Sequence, residues 1–415
     1  MKDKNFEDKK VEILTVLIVA IMLTACNQDS EPSLGVDPMT TSTKDQQTDF
    51  SSIIQSDAEL LESVNNTPTN EIEMFDVLPY IDVTPAEYFK YKYNDSLDGI
   101  IITAYTGDSL EVRIPDKIED TNIIKVNLSN EFTELIMPNT VQSYNINYDK
   151  LKYVNIPRDA EVNVHGDFLE SVYIVDGVKV LDSIWSPNLK SITIPNSVTE
   201  IGDFAFSRCT SLTNITIPES VLEIGEAAFW NCTGLLNIDV DSKNKKFCSV
   251  NGILFNKDES QLICYPAGKT DTEYVIPDTV NAIDRNAFEN CISLKNITIP
   301  TICYQIGYSA FAGCTGLTGS ITIPATVIEG DAFKNCANLT SITFTKVYKI
   351  NSGAFSGCTG LTNIVFDDVG WIMMPENTFS NSTELKSITY MNVTFNSLES
   401  FLANRGDLYR GEYNG

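Results

Sequence analysis

The feature that most constrains the fold is a repeat of about 23 residues that begins at residue 189. Two successive copies read LKSITIPNSVTEIGDFAFSRCTS (189–211) and LTNITIPESVLEIGEAAFWNCTG (212–234). Their shared pattern is L-x-x-I-x-I-P-x-x-V-x-x-I-G-x-x-A-F-x-x-C. Because one copy is too short to bury its own apolar residues, successive copies have to stack and share a core. The repeat therefore predicts a solenoid.

Each copy is expected to begin with a strand. Ile192 and Ile194 flank Thr193, an alternation typical of a strand with one buried face, and Pro195 ends it because proline has no amide hydrogen to donate. Stacked copies predict a mostly β fold with one long parallel sheet and irregular or short helical turns on the convex side. The position after the isoleucine of the I-G pair holds residue types that tolerate a left-handed backbone. We therefore predict a turn with a left-handed residue at this position in each copy. These residues are Gly202, Gly225, Asp284, Gly307 and Asn351.

Two further columns of the repeat are apolar. The first holds Phe206, Phe229, Phe288, Phe311, Phe333 and Phe355, and the second holds Cys209, Cys232, Cys291, Cys314, Cys336 and Cys358. We expect the phenylalanines to form one file in the core and the cysteines to act as small buried apolar groups. Parallel neighbours about 5 Å apart are close enough for disulfides but point in the wrong direction for the required torsion. A disulfide between Cys248 and Cys264, outside this column, is left open.

The repeat weakens towards both ends but its strand persists. Upstream strands are predicted at Val112–Ile114, Leu135–Met137, Val154–Ile156 and Val172–Ile174, and downstream strands at Ile364–Phe366 and Ile388–Tyr390. The solenoid is thus predicted to span residues 112–390 with about thirteen strands, and a hairpin replaces the usual turn near 247–266. A hairpin within 76–111 is expected to cover the first coil, and residues 391–415 the last.

The first 26 residues have the pattern of an export signal. An apolar run from Ile13 to Ala25 is too short to span a bilayer and fits a signal peptide over residues 1–25. It ends in Leu23-Thr24-Ala25-Cys26, which resembles the bacterial lipobox, and this resemblance implies a lipid on Cys26. Residues 26–75 are polar and acidic, so they predict a disordered tether.

The I-x-I-P, I-G-x-x-A-F and F-x-x-C-x-x-L blocks, together with the G-I-L-F-N-K-D-x-x-x-L-I-x-Y-P hairpin, resemble BspA-type leucine-rich-repeat surface proteins. The resemblance covers roughly residues 88–390. It implies adhesion and binding of proteins or glycans outside the cell. It implies no catalytic residues.

Charge and composition exclude several classes of function. The chain has 56 Asp and Glu against 29 Lys and Arg, so it lacks the basic surface that nucleic acid requires. His165 is its one histidine; no zinc-ligand spacing, phosphate-binding loop or nucleophile turn accompanies it. We therefore predict no metal, no cofactor and no enzymatic activity. A carboxylate pair that hydrolyses glycans is the less favoured alternative.

The outward strand positions are the predicted binding surface. They are Thr193, Thr216, Thr298, Thr322 and Thr343, with Tyr173 in an upstream coil. Threonine is also an ordinary residue of exposed strands, so these residues are only weakly indicated. We predict a monomer that is anchored to the outer face of the cell membrane and binds an unknown extracellular protein or glycan. A structural envelope protein or a nutrient-capture lipoprotein is the alternative.

Overall fold

The computed structural model describes residues 81–367 and 369–404. Within them the chain winds through stacked coils, each of which contributes one strand to a parallel sheet. The predicted signal peptide, the lipid site Cys26 and the whole predicted tether (26–75) lie outside the described residues, as do residues 76–80 of the predicted N-terminal cap and 405–415 of the predicted C-terminal cap.

In chain order the first strands are β1 (Phe89–Asn94), β2 (Gly99–Tyr105), β3 (Glu111–Arg113), β4 (Lys117–Ile118), β5 (Thr121–Glu131), β6 (Glu134–Ile136), β7 (Ser143–Asn147), β8 (Tyr153–Ile156), β9 (Asn163–His165), β10 (Ser171–Ile174), β11 (Val180–Leu181), β12 (Ser183–Trp185), β13 (Ser191–Thr193), β14 (Glu200–Ile201), β15 (Asn214–Ile217) and β16 (Glu223–Ile224). The remaining strands are β17 (Asn237–Val240), β18 (Phe247–Val250), β19 (Ile253–Asn256), β20 (Gln261–Cys264), β21 (Glu273–Val275), β22 (Ala282–Ile283), β23 (Asn296–Thr298), β24 (Gln305–Ile306), β25 (Gly319–Ile323), β26 (Val327–Ile328), β27 (Leu339–Phe344), β28 (Lys349–Ile350), β29 (Asn363–Phe366), β30 (Ser387–Tyr390) and β31 (Val393–Phe395). Two short 3-10 helices, Ala86–Tyr88 and Glu376–Phe379, and a helical segment at 398–404 complete the described elements.

The concave side carries one strand per coil, as the repeat predicts. Backbone pairing joins β3, β6, β8, β10 and β13, then β15 with β17, β21 with β23, and β25, β27, β29 and β30. The register of the irregular upstream coils is also clear, because Val154 pairs with both Leu135 and Val172. A parallel β-solenoid of about thirteen coils is therefore confirmed.

Hairpins lie at both ends of the described solenoid. At the start, β1 pairs antiparallel with β2, and β2 pairs in parallel with the long strand β5. At the other end, β31 pairs antiparallel with β30. Both hairpins give the terminal coils a backbone neighbour that no further coil supplies.

The convex side contains a second, narrower parallel sheet. Its strands are two residues long at most coils and form the ladders β11–β14–β16 and β20–β22–β24–β26–β28. Turns follow each of these strands. The convex side is therefore more regular than the irregular or short helical turns that the sequence predicts.

The predicted left-handed turn after the I-G isoleucine is wrong. Positive φ angles occur instead two and six residues beyond that position, at Phe204, Ala227, Asn286, Ser309, Asp331 and Gly353, and at Arg208, Asn231, Asn290, Gly313, Asn335 and Gly357. Glycine serves a different purpose at the predicted position. A Cβ on Gly225 would lie 2.4 Å from the backbone nitrogen of Asp203, and one on Gly307 would lie 2.7 Å from that of Arg285. Glycine there lets successive coils approach closely.

The core contains the predicted file of phenylalanines. Phe311 stacks between Phe288 and Phe333, with ring centroids 4.7 and 4.8 Å away. Phe206 and Phe229 form a separate stacked pair at 5.8 Å. Tyr265 takes the phenylalanine position in the hairpin coil, 5.1 Å from Phe288. The stacking is thus confirmed, although it runs in two segments. The first comprises Phe206 and Phe229, and the second begins at Tyr265 of the hairpin coil.

The column cysteines do more than fill apolar space. Each thiol donates a hydrogen bond to the backbone oxygen of the preceding coil's phenylalanine position. The pairs are Cys209 with Ile184 (3.2 Å), Cys232 with Phe206 (3.0 Å), Cys291 with Tyr265 (3.8 Å), Cys314 with Phe288 (2.9 Å), Cys336 with Phe311 (3.2 Å) and Cys358 with Phe333 (3.1 Å). In the next coil the hydroxyl of Ser382 makes the same bond to Phe355, at 3.1 Å. The column cysteines are therefore small and buried, as predicted, and each also acts as a hydrogen-bond donor.

No disulfide forms among the nine cysteines in the described part of the chain. Cys248 and Cys264 lie on β18 and β20, which both pair with β19 and are separated by it. The disulfide that the sequence left open is therefore absent from this hairpin.

Candidate functional site

The predicted threonines occupy the outer face of the concave sheet. Thr193, Thr216, Thr298 and Thr322 are exposed, and Thr343 is half-buried. Thr322 pairs directly with Thr343 across neighbouring strands. The structure therefore places these residues on the outer face of the concave strands, one residue per coil, although strand pairing is interrupted between β13 and β15, between β17 and β21, and between β23 and β25.

The row is not uniform. Tyr173, which is half-buried, pairs with Thr193, and Asp239 pairs with Thr216. Val275 pairs with Thr298 and is 68% exposed. The face thus offers hydroxyl groups interrupted by a ring, a carboxylate and an aliphatic group. Whether it binds a partner is a prediction that the geometry leaves untested.

His165 lies on the surface in the upstream coils. Its Nε2 is 2.7 Å from the hydroxyl of Ser183, and its ring meets Trp185 edge-on. Across the described residues no carboxylate bonds to this imidazole. The arrangement therefore lacks the acid that orients the histidine of a catalytic triad.

Residues 81–367 and 369–404 contain no group of three or more His, Cys, Asp or Glu side chains placed to hold a metal ion. In the same residues no helix is both long and apolar enough to cross a bilayer.

A recess on the flank of the solenoid brings together residues that the sequence leaves far apart. We call it the lateral recess. Its lining comprises Phe204, Trp230, Arg285, Asn286, Glu289, Asn290, Tyr308, Ser309, Ala312, Gly313, Asp331, Lys334 and Asn335.

The lateral recess exists because the hairpin coil is cut short on this side. The hairpin coil passes from Leu262 to Tyr265 in three residues, whereas a regular coil takes five from Ile201 to Phe206. Tyr265 and Phe206 are equivalent, since each donates its backbone N–H to an alanine of the next coil. The tip of one turn is therefore missing, and the turns on either side flank a depression.

Aromatic and cationic side chains form the walls of the lateral recess. On one side Trp230 meets Phe204 edge-on at 6.3 Å, and the guanidinium of Arg208 lies 5.0 Å above the indole. On the other side the guanidinium of Arg285 lies 4.9 Å from the centre of the Tyr308 ring. Such cation–π pairs hold the rings in place.

Two carboxyl groups of the lateral recess are held by neighbouring donors. Glu289 accepts hydrogen bonds from Asn286, at 2.6 Å, and from Trp230. Burial raises the pKa of Glu289 above its usual value. Asp331 accepts hydrogen bonds from the Tyr308 hydroxyl at 3.1 Å and from Lys334 at 3.0 Å. The polar groups are therefore oriented before any ligand arrives.

Sequence reasoning missed this site for a clear reason. Its residues occupy the variable positions of the repeat, and Trp230 stands out in the sequence only as an isolated tryptophan. The one available signal was the shortened spacing between Leu262 and Tyr265, whose meaning depends on knowing which residues are equivalent between coils.

This fold and its exposed faces define a leucine-rich-repeat solenoid. Residues 184–256 and 269–386 match the family model of the BspA type leucine-rich repeat region in six copies. These residues make up less than half of the chain; they are similar to BspA type repeats, in agreement with the motifs of the sequence.

Solved structures of other proteins share the fold. A leucine-rich repeat protein from Eubacterium ventriosum is 25% identical, with 74% of this chain and 83% of that chain covered and a TM-score of 0.51. The pneumococcal vaccine antigen PcpA is 17% identical, with 78% and 96% covered and a TM-score of 0.50. No curated protein matches the chain.

Proposed function

We propose that the chain is a non-catalytic surface lipoprotein that presents its solenoid to extracellular proteins or glycans. The observation that carries this proposal is the outer face of the concave sheet, where one exposed or half-exposed side chain per coil aligns over many coils. Stacked repeats create extended concave surfaces of this kind, which suit the binding of a partner. The BspA type repeats support the same role.

Export and anchoring are the second part of the proposal. They rest on the apolar run that ends in Leu23-Thr24-Ala25-Cys26. Expression in bacteria fed an alkyne-bearing fatty acid should label the chain, and Cys26→Ala should abolish the label. An equally labelled Cys26→Ala chain would contradict lipidation at this residue.

Cell-surface display is tested on intact cells. Protease added outside should degrade the chain, while a cytoplasmic control protein should survive. Protection from protease in intact cells, and cleavage only after envelope disruption, would favour the alternative of a structural envelope or nutrient-capture lipoprotein.

Binding is tested with the purified full chain carrying Cys26→Ala, which removes the lipid. Arrays of extracellular host proteins and of oligosaccharides should yield at least one ligand. The affinity of one copy is expected to be modest and to rise when many copies are displayed together. Failure on both arrays would contradict the proposal.

One observation favours a test of the hydrolase alternative. Glu289, with its raised pKa, shares the lateral recess with Asp331, and glycoside hydrolysis uses two carboxyl groups. Incubation with the oligosaccharides that bind should release no reducing ends. Their release by the wild-type chain, and not by Glu289→Gln, would overturn the non-catalytic assignment.

A further inference from the structure

The lateral recess has the size of a small-ligand site. Its volume is about 430 Å³, which lies within the range of pockets that hold small molecules. It is a permanent feature of the fold, because it comes from the missing turn tip of the hairpin coil. Two side-chain bonds span that coil: Arg285 to Glu226 at 2.6 Å, and Asn290 to Asn231 at 3.0 Å.

The lateral recess also concentrates the residues that dominate recognition sites. Residues 81–367 and 369–404 contain four arginines and three tryptophans. Two of those arginines, Arg208 and Arg285, stack on rings here, and one of the tryptophans is Trp230. Trp, Tyr and Arg are the residue types most often found at the energetic centre of an interface.

One hydrogen-bond donor at the lateral recess lacks an acceptor. The Nε of Arg285 is buried and has no hydrogen-bond partner among the described residues. A buried N–H without an acceptor costs about 1–3 kcal/mol in general. A ligand oxygen in the lateral recess would meet the exposed part of the Arg285 side chain, which is 37% accessible, rather than the buried Nε itself.

The lining excludes several ligand classes. Polyanions are disfavoured because the carboxylates of Glu226, Glu289 and Asp331 surround the cations. Long apolar chains are disfavoured because they would strip water from these charges without replacing their hydrogen bonds. A sugar has both hydroxyl groups and C–H faces, which match the amides, the carboxylates and the aromatic rings of the lining.

We propose that the lateral recess is a binding site for a neutral oligosaccharide. Amides and carboxylates bond the sugar hydroxyls, and the aromatic rings of Trp230 and Tyr308 contact its C–H groups. This inference rests on the proposed binding function and names a ligand class and a site for it. It places the glycan on the flank, away from the threonine row.

The experiment is a glycan array followed by calorimetric titration, both with the full chain carrying Cys26→Ala. In that background Tyr308→Ala should weaken binding of the selected oligosaccharide at least tenfold. Tyr308→Phe keeps the ring over Arg285 and loses only the hydroxyl bond to Asp331, so it should fold normally and weaken binding several-fold. Thermal melting of each variant checks the fold.

One matched control and one competing variant locate the site. Tyr304→Ala removes an exposed tyrosine outside the lateral recess and should bind as tightly as the parent chain. Thr322→Ala tests the concave row as the alternative site. Loss of binding in Thr322→Ala with none in the two Tyr308 variants would move the ligand to the concave face and overturn the inference. A chain that binds an array protein but no oligosaccharide would overturn it too, while the proposed binding function would stand.

Discussion

The guanidinium of Arg285 lies 2.6 Å from the carboxylate of Glu226, although 59 residues separate them in the chain. This ion pair spans the hairpin coil at the place where the regular contacts between coils stop. The buried apolar residues form two clusters that meet at Ile253 and Leu254. In the described residues no strand pairing joins β16 to β20 or β17 to β21. The hairpin coil is therefore a seam between two halves of the solenoid.

The seam predicts unfolding in two steps, because weakly coupled repeat blocks lose cooperativity. Trp185 and Trp230 report the first half, and Trp371 reports the second. Urea unfolding followed by fluorescence should give different midpoints for Trp371→Phe and for the double variant Trp185→Phe, Trp230→Phe. Coincident curves would show that the two halves unfold together, which would contradict this prediction.

The phenylalanine file predicts a large cost for a gap within it. Phe311→Ala should lower the free energy of unfolding by about 3–5 kcal/mol, since it removes a fully buried ring from between two others. Phe168→Ala is the control, because Phe168 is 54% exposed and should change stability by less than about 0.5 kcal/mol. Denaturant titration measures both; similar losses would argue against a continuous packed core.

The close approach between coils predicts a specific effect at Gly307. Gly307→Ala places a Cβ 2.7 Å from the backbone of the preceding coil and should destabilise by about 1–3 kcal/mol. Gly370→Ala is matched, because its Cβ would have no atom within 4 Å. Melting temperatures should fall only for Gly307→Ala, and a fall in both would point to backbone flexibility as the cause.

The thiol bonds predict a preference at the cysteine position. Cys358→Ala removes one of the two donors to the buried carbonyl of Phe333, which still accepts the backbone N–H of Cys336 at 3.2 Å. The loss should cost about 0.5–1.5 kcal/mol. Cys358→Ser keeps a donor, as Ser382 does in the next coil, and should cost less. Unfolding midpoints compare the two, and a more stable alanine variant would mean that the bond contributes nothing.

The same thiols predict a loss of stability at high pH. Burial raises the pKa of Cys209 to about 11 and that of Cys358 to about 12, from 9.0. Above pH 9 the unfolded chain releases these protons while the folded chain keeps them. The free energy of unfolding should therefore fall as pH rises from 9 towards 12, by up to about 1.4 kcal/mol per thiol per pH unit.

Urea titrations from pH 7 to 11 measure this fall, and Cys358→Ser should make it shallower. An identical slope in the variant would exclude this thiol as a contributor.

The fold was predictable because the same sequence pattern recurs in many successive copies of the repeat. Ile192, Phe206 and Cys209 recur with their neighbours, so errors in one coil are corrected by the others. The role of Gly225 was not predictable, since its cause is the backbone of the preceding coil rather than its own φ angle. The lateral recess was hidden for a related reason: it arises from residues absent between Leu262 and Tyr265, and its walls come from coils on both sides.

The direction of the thiol bonds has a consequence for how the chain can be assembled. Every bonded thiol in the column reaches back to a carbonyl that was synthesised earlier, as Cys336 does to Phe311. A coil that emerges later therefore finds the acceptor for its thiol already in place, whereas its own backbone N–H groups, such as that of Phe311, bond to carbonyls of the following coil. Each added coil thus satisfies groups that the previous coil leaves open, and it leaves the same groups open for the next.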